Sequence, residues 1–444
     1  MVKPTKLQTT ILVIFGVSGD LAQRYLLPSL SAINKNEGLP KKFRLLGISR
    51  QQLKVSDVLT PRCANLGDFS EILTMNLGEQ TDYEALKKRL DDIAKELGGE
   101  PQIIFYFAVP PAAVLPIVRH LGKAKLNHAN TKLLLEKPFG SDLASATELI
   151  EETAKHFSDS QVYRIDHYLA KGMAQNITVF LGGNVLFRNV WNKDFISRID
   201  VIASEKIGIE GRVNFYEHSG ALRDFQSHLL QLAALVLMKP CTDLFDFSEV
   251  PARRLAALKK LKLAGNVQDS ALRAQYDGYA REVGNPKSVT ETFVELKLRS
   301  EDERWAGVPI RLITGKALDK KFTEIRVHFK KSKASESNRL TLRIQPHEGI
   351  ELELWVKKPG YEQDLAQLPL DFSYEQYFGS DLPEAYEQVI VDAMRGSQNL
   401  FADNQEVLTG WTLLDPILKS WSMSDDDLKM YKKDSNYKDV VSKV

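Results

Sequence analysis

Partway along the chain the spacing of the apolar residues changes period, and this change restricts the fold more than any other feature. From Thr9 to about Arg164, short apolar runs alternate with helical patterns: TTILVIFG, a helix from Asp20, FRLLGISR, a helix near Tyr83 to Leu97, QIIFYFAVP, a helix from Ala112, and TKLLLEKP. Continuous β-branched and leucine-rich strands recurring in βα order need cover on both faces, so this part predicts a parallel sheet flanked by helices. Further on, Ile325, Val327 and Phe329 alternate with charged neighbours, as do Leu340, Leu342 and Ile344, and Ile350, Leu352 and Leu354. Strict alternation gives one apolar and one polar face, so the second part predicts an α+β domain with a half-covered, mostly antiparallel sheet. The boundary is placed near Asp166, dividing the chain into residues 1–166 and 167–444. The tail from Ser424 reads as loosely held.

Composition narrows the partners. With 59 basic and 58 acidic residues the net charge is +1, which gives no electrostatic case for nucleic acid or a membrane surface. Any phosphate site must therefore be local. Cys63 and Cys241 lack metal-ligand spacing, so neither a disulfide framework nor a thiolate metal site is expected, and a reducing cytoplasm fits. The amino-terminal apolar run is short and ends in Gly-Val-Ser-Gly-Asp, which reads as a strand rather than a signal peptide. No run approaches the roughly 18 apolar residues of a spanning helix.

The chemistry concentrates at strand ends. Gly16-Val-Ser18-Gly19-Asp20-Leu21-Ala22 comes after the first strand and opens a helix, where paired glycines let backbone amides approach a pyrophosphate. Such turns also occur simply to make the corner, and the full Gly-x-Gly-x-x-Gly fingerprint is absent. The second strand ends in Arg50, where an NAD-selective site usually has an acid; the planar guanidinium suits a 2′-phosphate and leans towards NADP. A surface arginine at a strand end is the plainer alternative, and the position alone leaves both open. Lys137 precedes Pro138 and is thereby held extended at another strand end, where open α/β sheets bind ligands.

YRIDHYLAKGMAQN then packs Arg164, Asp166, His167, Tyr168 and Lys171 into eight positions. That density suits an anion and a proton: His167, Tyr168 and Lys171 are donors fit for phosphate, and Asp166 can orient an imidazole. Farther on, Asp224 and His228 lie one turn apart at the start of a helix that is apolar nearly all round to Met238. Oxidation of a carbinol carbon needs a base for the hydroxyl proton, and a partly buried imidazole beside a carboxylate is matched to that near neutral pH. A histidine opening a buried helix is otherwise a structural residue.

Taken in order, GVSGDLA, LLEKPFG, RIDHYLAK, EGRVNFYEHSGALRDFQSHLLQ, TETFVELKL, RWAGVPIRLITGKAL, RIQPHEGIELELWVKKPG and AYEQVIVDAMRGSQNLF resemble the glucose-6-phosphate dehydrogenase family from Gly16 to about Pro416. The resemblance implies a Rossmann-type coenzyme domain followed by a larger α+β domain, usually dimeric through its sheet. It implies oxidation of glucose 6-phosphate to the lactone with reduction of NADP, NAD being possible, as the entry step of the pentose phosphate pathway. His228 matches the family's general base, Asp166 the carboxylate that supports it, and Lys137 the lysine touching sugar and nicotinamide. His167, Tyr168 and Lys171 match phosphate ligands; Glu205, Asp224, Lys316 and Gln345 match further substrate contacts. Gly16, Ser18, Gly19, Asp20, Leu21, Arg50 and Tyr106 fall on coenzyme positions, and no metal is expected.

Several positions depart from the pattern. Asp224 and His228 are four steps apart where the family usually has five, and one missing helical residue rotates the downstream side chains by about 100°. Tyr25 stands where a lysine is expected, Ala170 and Gly172 replace a glycine and a glutamate, and Ile313 takes the place of an arginine, with Arg311 two residues earlier. A weakly or non-catalytic relative that binds sugar phosphate or dinucleotide is the rival reading, and Asp224 is the residue most affected by the shortened spacing.

Overall fold

The computed structural model describes residues 7–442 except Arg212, Thr242, 332–336 and 380–381, and it leaves undescribed the side chains of Asn214, Phe215, Asp224, Gln226 and Ser227. The chain divides into two compact units. One comprises the residues up to Ala170 together with Pro383–Val407, and the other Lys171–Leu382 with Leu408 onward.

The first unit is built on a seven-stranded sheet in the order β16-β6-β5-β4-β1-β2-β3. Its strands are β1 (Thr10–Phe15), β2 (Phe43–Ser49), β3 (Ser70–Thr74), β4 (Gln102–Phe107), β5 (Thr131–Leu135) and β6 (Val162–Ile165), all parallel, with the short β16 (Phe401–Ala402) antiparallel to β6. All six residues of β1 are buried, as continuous apolar runs in a doubly covered sheet must be. Phe15 is level with Ile48 of β2 and with Phe107 of β4, so the carboxyl ends of β1, β2 and β4 line up. Strand order reverses on either side of β1, and the crevice outside such a reversal is where open α/β sheets hold ligands.

The division does not fall at Asp166. The first unit runs on to Ala170 and takes back Pro383–Val407 because the helix Ala385–Arg395 buries Val389, Ile390, Ala393 and Met394 in the same apolar cluster as Leu26, Leu27 and Leu30. A segment more than 200 residues away in sequence completes the core, and no local pattern announces that.

The second unit carries a ten-stranded sheet in the order β15-β14-β13-β12-β7-β11-β10-β9-β17, with β8 beside β10. The strands are β7 (Ile196–Ser204), β8 (Leu261–Leu263), β9 (Ala271–Tyr276), β10 (Phe293–Ser300), β11 (Ile310–Gly315), β12 (Phe322–Phe329), β13 (Arg339–Gln345), β14 (Gly349–Lys357), β15 (Leu365–Ser373) and β17 (Leu428–Tyr431). Pairing is mostly antiparallel; β7–β11 and β9–β17 are parallel. The expected alternation is present: Ile325, Val327, Leu340, Leu342 and Ile344 are fully buried. At the β14–β15 edge it is not matched by cover, and Leu365, Leu368 and Leu370 are exposed.

The tail is not loose. β17 extends the sheet beside β9, Tyr431, Tyr437 and Val440 are buried in a cluster with Tyr276 and Phe293, and Asp427 pairs with buried Arg273 at 2.5 Å. Polar composition hid an edge strand whose tyrosine alone reaches the core.

Candidate active site

In the first unit the turn after β1 is shaped by Gly16. Its φ is +81°, and an added Cβ would stand 2.4 Å from the Ala108 carbonyl oxygen, so only glycine fits between the ends of β1 and β4. Its N–H donates to the Ile48 carbonyl at 3.1 Å, and the Gly19 N–H donates to Gly16 at 2.9 Å. Ser18 and Asp20 are exposed on this turn, Leu21 is half-buried, and the Asp20 carboxylate pairs with Arg24 at 2.7 Å. Helical structure begins here and passes through a π turn, Ala22–Leu26. A backbone this close, opening a helix, is the cradle a dinucleotide pyrophosphate requires. Arg50 lies one residue past β2, exposed, and its guanidinium makes no hydrogen bond or ion pair among the described residues.

Tyr106 lies inside the first unit. It is fully buried on β4, and its hydroxyl donates to Glu136 Oε1 at 2.5 Å. The phenol is thus tied to Glu136 at the end of the neighbouring strand β5. Tyr386, from the returning helix, donates to the same carboxylate, and Tyr25 lies against it with ring centroids 5.4 Å apart. Burial pushes the Glu136 carboxyl up to about 7; the Tyr106 hydroxyl and the Lys137 ammonium pull against that, and Asp166 reinforces it.

Lys137 and Asp166 each emerge two residues past the paired positions Leu135 and Arg164, at adjacent strand ends. The Lys137-Pro138 peptide is cis. Asp166 is fully buried and its Oδ1 accepts the Tyr168 N–H at 3.0 Å, while the rings of His167 and Tyr168 lie 5.0 Å apart. Arg164 separates from this group: 2% exposed, it pairs with Asp159 at 3.0 Å and donates to Asn404, an internal tie of the unit.

In the second unit, Lys171 is the residue before the helix Gly172–Gly183, and the Met173 N–H of that helix donates to Glu348. Glu348 belongs to the β13–β14 connection; Gln345, the last residue of β13, donates through Nε2 to Thr323 at 3.2 Å. Ser204 is level with Gly315 on β11 and with Phe322 on β12, so the next residues, Glu205 and Lys316, leave the sheet side by side. Lys316 Nζ meets Glu205 Oε2 at 2.7 Å, above the Tyr216 ring at 5.1 Å.

His228 sits in a π turn, Phe225–Leu229, followed by the wholly buried helix Leu230–Leu237. It is 4% exposed, and its turn packs against β7 and β11, the strands that deliver Glu205 and Lys316. Asp224 ends the preceding helical turn, Leu222–Asp224, but its side chain lies outside the described residues. The irregular spacing noted in the sequence coincides with the wider i to i+5 turn, a form frequent at functional sites.

Residues 13–176 match the family model "Glucose-6-phosphate dehydrogenase, NAD binding domain" and residues 178–442 the model "Glucose-6-phosphate dehydrogenase, C-terminal domain". The chain belongs to the glucose-6-phosphate dehydrogenase family. A glucose-6-phosphate 1-dehydrogenase of Dickeya dadantii (strain 3937) is 35% identical, with 96% of this chain and 94% of the relative covered. That of Chlamydia muridarum (strain MoPn / Nigg) is 34% identical over 93% of this chain and 90% of its own length. A solved glucose-6-phosphate dehydrogenase in complex with its substrate glucose 6-phosphate superposes with a TM-score of 0.91 at 30% identity, covering 99% and 98% of the two chains. The enzyme from Mycobacterium avium gives 0.82 at 27% identity, over 96% and 95%.

Against that family pattern, Glu136 and its tyrosine partners escape the sequence. Glu136 stands inside a motif read for its lysine and proline, and Tyr106 and Tyr386 lie about 30 and 250 residues away from it. Only the charge of Glu136 beside Lys137 was a local signal. Among the described residues, no group of three or more His, Cys, Asp or Glu is placed to hold a metal, and no helix is long and apolar enough to cross a membrane.

Proposed function

We propose that this chain oxidises glucose 6-phosphate at C1 to the 6-phosphoglucono-lactone, with hydride passing to NADP. The observation that carries the reading is the placing of His228, an enclosed imidazole on a turn packed against the two strands that present the Glu205–Lys316 pair. In this reading His228 takes the C1 hydroxyl proton as the C1–H bond gives up its electron pair and the C–O bond becomes a carbonyl. Bound nicotinamide supplies the hydride acceptor. Asp166 supplies the supporting carboxylate, Lys137 a cation for sugar and coenzyme, and His167, Tyr168 and Lys171 the phosphate anchor. Glu205, Asp224, Lys316 and Gln345 orient the sugar, which is positioning of the kind that supplies much of the rate.

Gly16, Ser18, Gly19, Asp20 and Leu21 form the coenzyme turn, and exposed Arg50 favours NADP through the 2′-phosphate. Homodimerisation is supported by an apolar ladder on one face of the edge: Ile350 with Phe372, Leu352 with Leu370 and Leu354 with Leu368. Exposed side chains of that ladder need cover. A cytoplasmic location agrees with the two buried free cysteines. The rival, a sugar-phosphate-binding relative with little turnover, draws on Tyr25 and the shortened Asp224–His228 step. Turnover of glucose 6-phosphate with NADP by the purified chain, and its loss in His228→Asn with binding kept, distinguishes the two; a parent that binds both ligands without reducing the coenzyme refutes the enzyme reading.

A further inference from the structure

We propose that Glu291 is a positioning residue for His228, acting through a cap on the helix that carries it. The proposal rests on His228 being the base. Glu291 lies two residues before β10 and is 6% exposed. Its Oε1 accepts the Leu222 N–H at 2.9 Å, and its own carbonyl accepts the Ala221 N–H at 3.0 Å. Gly220 completes the corner at φ +61°, where an added Cβ would stand 2.3 Å from Glu291 Oε1. One residue therefore holds the corner by two hydrogen bonds and a close packing contact.

The corner needs this help because of its sequence. A helix start leaves free N–H groups, usually met by a Ser, Thr, Asp or Asn immediately before it. Here that residue is Ala221, which has no side-chain oxygen, and no local cap is made. The oxygen comes instead from a residue 69 positions away. Helical structure then runs from Leu222 through the π turn to Leu237, so a shift at Leu222 is carried to His228, six residues on. Next to Glu291, the Thr292 carbonyl accepts the Lys316 N–H at 2.9 Å, so adjacent residues of one strand entry hold both the base helix and Lys316. Burial raises the Glu291 carboxyl above the usual carboxylate range, in keeping with an acceptor whose reach matters more than its charge.

Reach and charge are separated by two variants that both keep a polar side chain in the corner. Glu291→Gln keeps the reach without the charge, and Glu291→Asp keeps the charge but withdraws the oxygen by one methylene. With kcat, KM and the primary isotope effect on C1-deuterated glucose 6-phosphate as readouts, the Gln variant should stay within about threefold of the parent. The Asp variant should lose about tenfold or more in kcat, as misplacement by an ångström can cost, with little change in KM. Its isotope effect should rise, because hydride transfer becomes slower relative to the other steps. A merely structural loss would lower the active fraction and leave KM and the isotope effect alone. A folded Asp variant with the parent's kcat and isotope effect, or a Gln variant as impaired as the Asp variant, overturns the proposal. Should the Asp variant not fold, Gly220→Ala, which presses on the same carboxylate, is read by the same criteria. Retained turnover in His228→Asn would refute the base assignment itself, a result independent of either Glu291 variant.

Discussion

Replacing Glu136 by Gln tests whether the first unit hides a titrating carboxyl beside its lysine. Burial raises this acid from an ordinary 4.5 to about 7, so the folded state binds a proton that the unfolded state has already released at those pH values. Stability is therefore highest below 4.5 and is lost as pH rises through 7. At about 1.36 kcal/mol for each pH unit, the loss is about 3 kcal/mol, an upper figure because the neighbouring tyrosines and Asp166 adjust with it. Gln keeps an oxygen for the Tyr106 hydroxyl and has nothing to ionise, so the variant should lack this pH-dependent loss. Hydrogen exchange of peptides from β4 and β5, compared between variant and parent at each pH, reads the first unit separately from the second. The variant's relative protection should be greater at pH 8 than at pH 5, by a factor approaching a hundred. A ratio that does not change with pH would refute the raised carboxyl and the enclosure inferred for it.

Other measurements address the remaining assignments. Arg50→Ala removes an exposed guanidinium with no hydrogen bond or ion pair among the described residues, so its cost falls on the ligand: NADP should bind about 10- to 100-fold more weakly, the worth of charge-assisted bonds to phosphate, while NAD changes little. Equal weakening of both, measured by titration of bound coenzyme, would remove its role at the 2′-phosphate. Leu368→Asp with Leu370→Asp places two charges on the β15 face of the apolar ladder and should leave a folded monomer in sedimentation. A dimer that persists in the double variant would place the interface elsewhere.

How legible the site was varied from residue to residue. The strand-end positions of Gly16, Lys137 and Asp166 were readable because each comes after an apolar strand, and the carboxyl ends of such strands are where a parallel sheet exposes functional groups. Tyr106 was legible as a residue of β4, but the direction of its hydroxyl is fixed by Glu136, a partner 30 residues away. Glu291 gave no sign, since it lies outside any helix start and caps one that is distant in sequence.

The sequence by itself determined the two sheet types, because burial on one face or on both is written directly in the period of the apolar residues. It determined the family as well, through motifs whose order survives sequence change. Only the tertiary structure decided that residues 383–407 belong to the first unit, that the polar tail is an edge strand anchored by Tyr431, and that the helix start at Leu222 is capped by Glu291, 69 residues away. Each of these depends on contacts between segments far apart in the chain, and the energy of such contacts lies in enclosure and partner geometry, neither of which a local pattern contains.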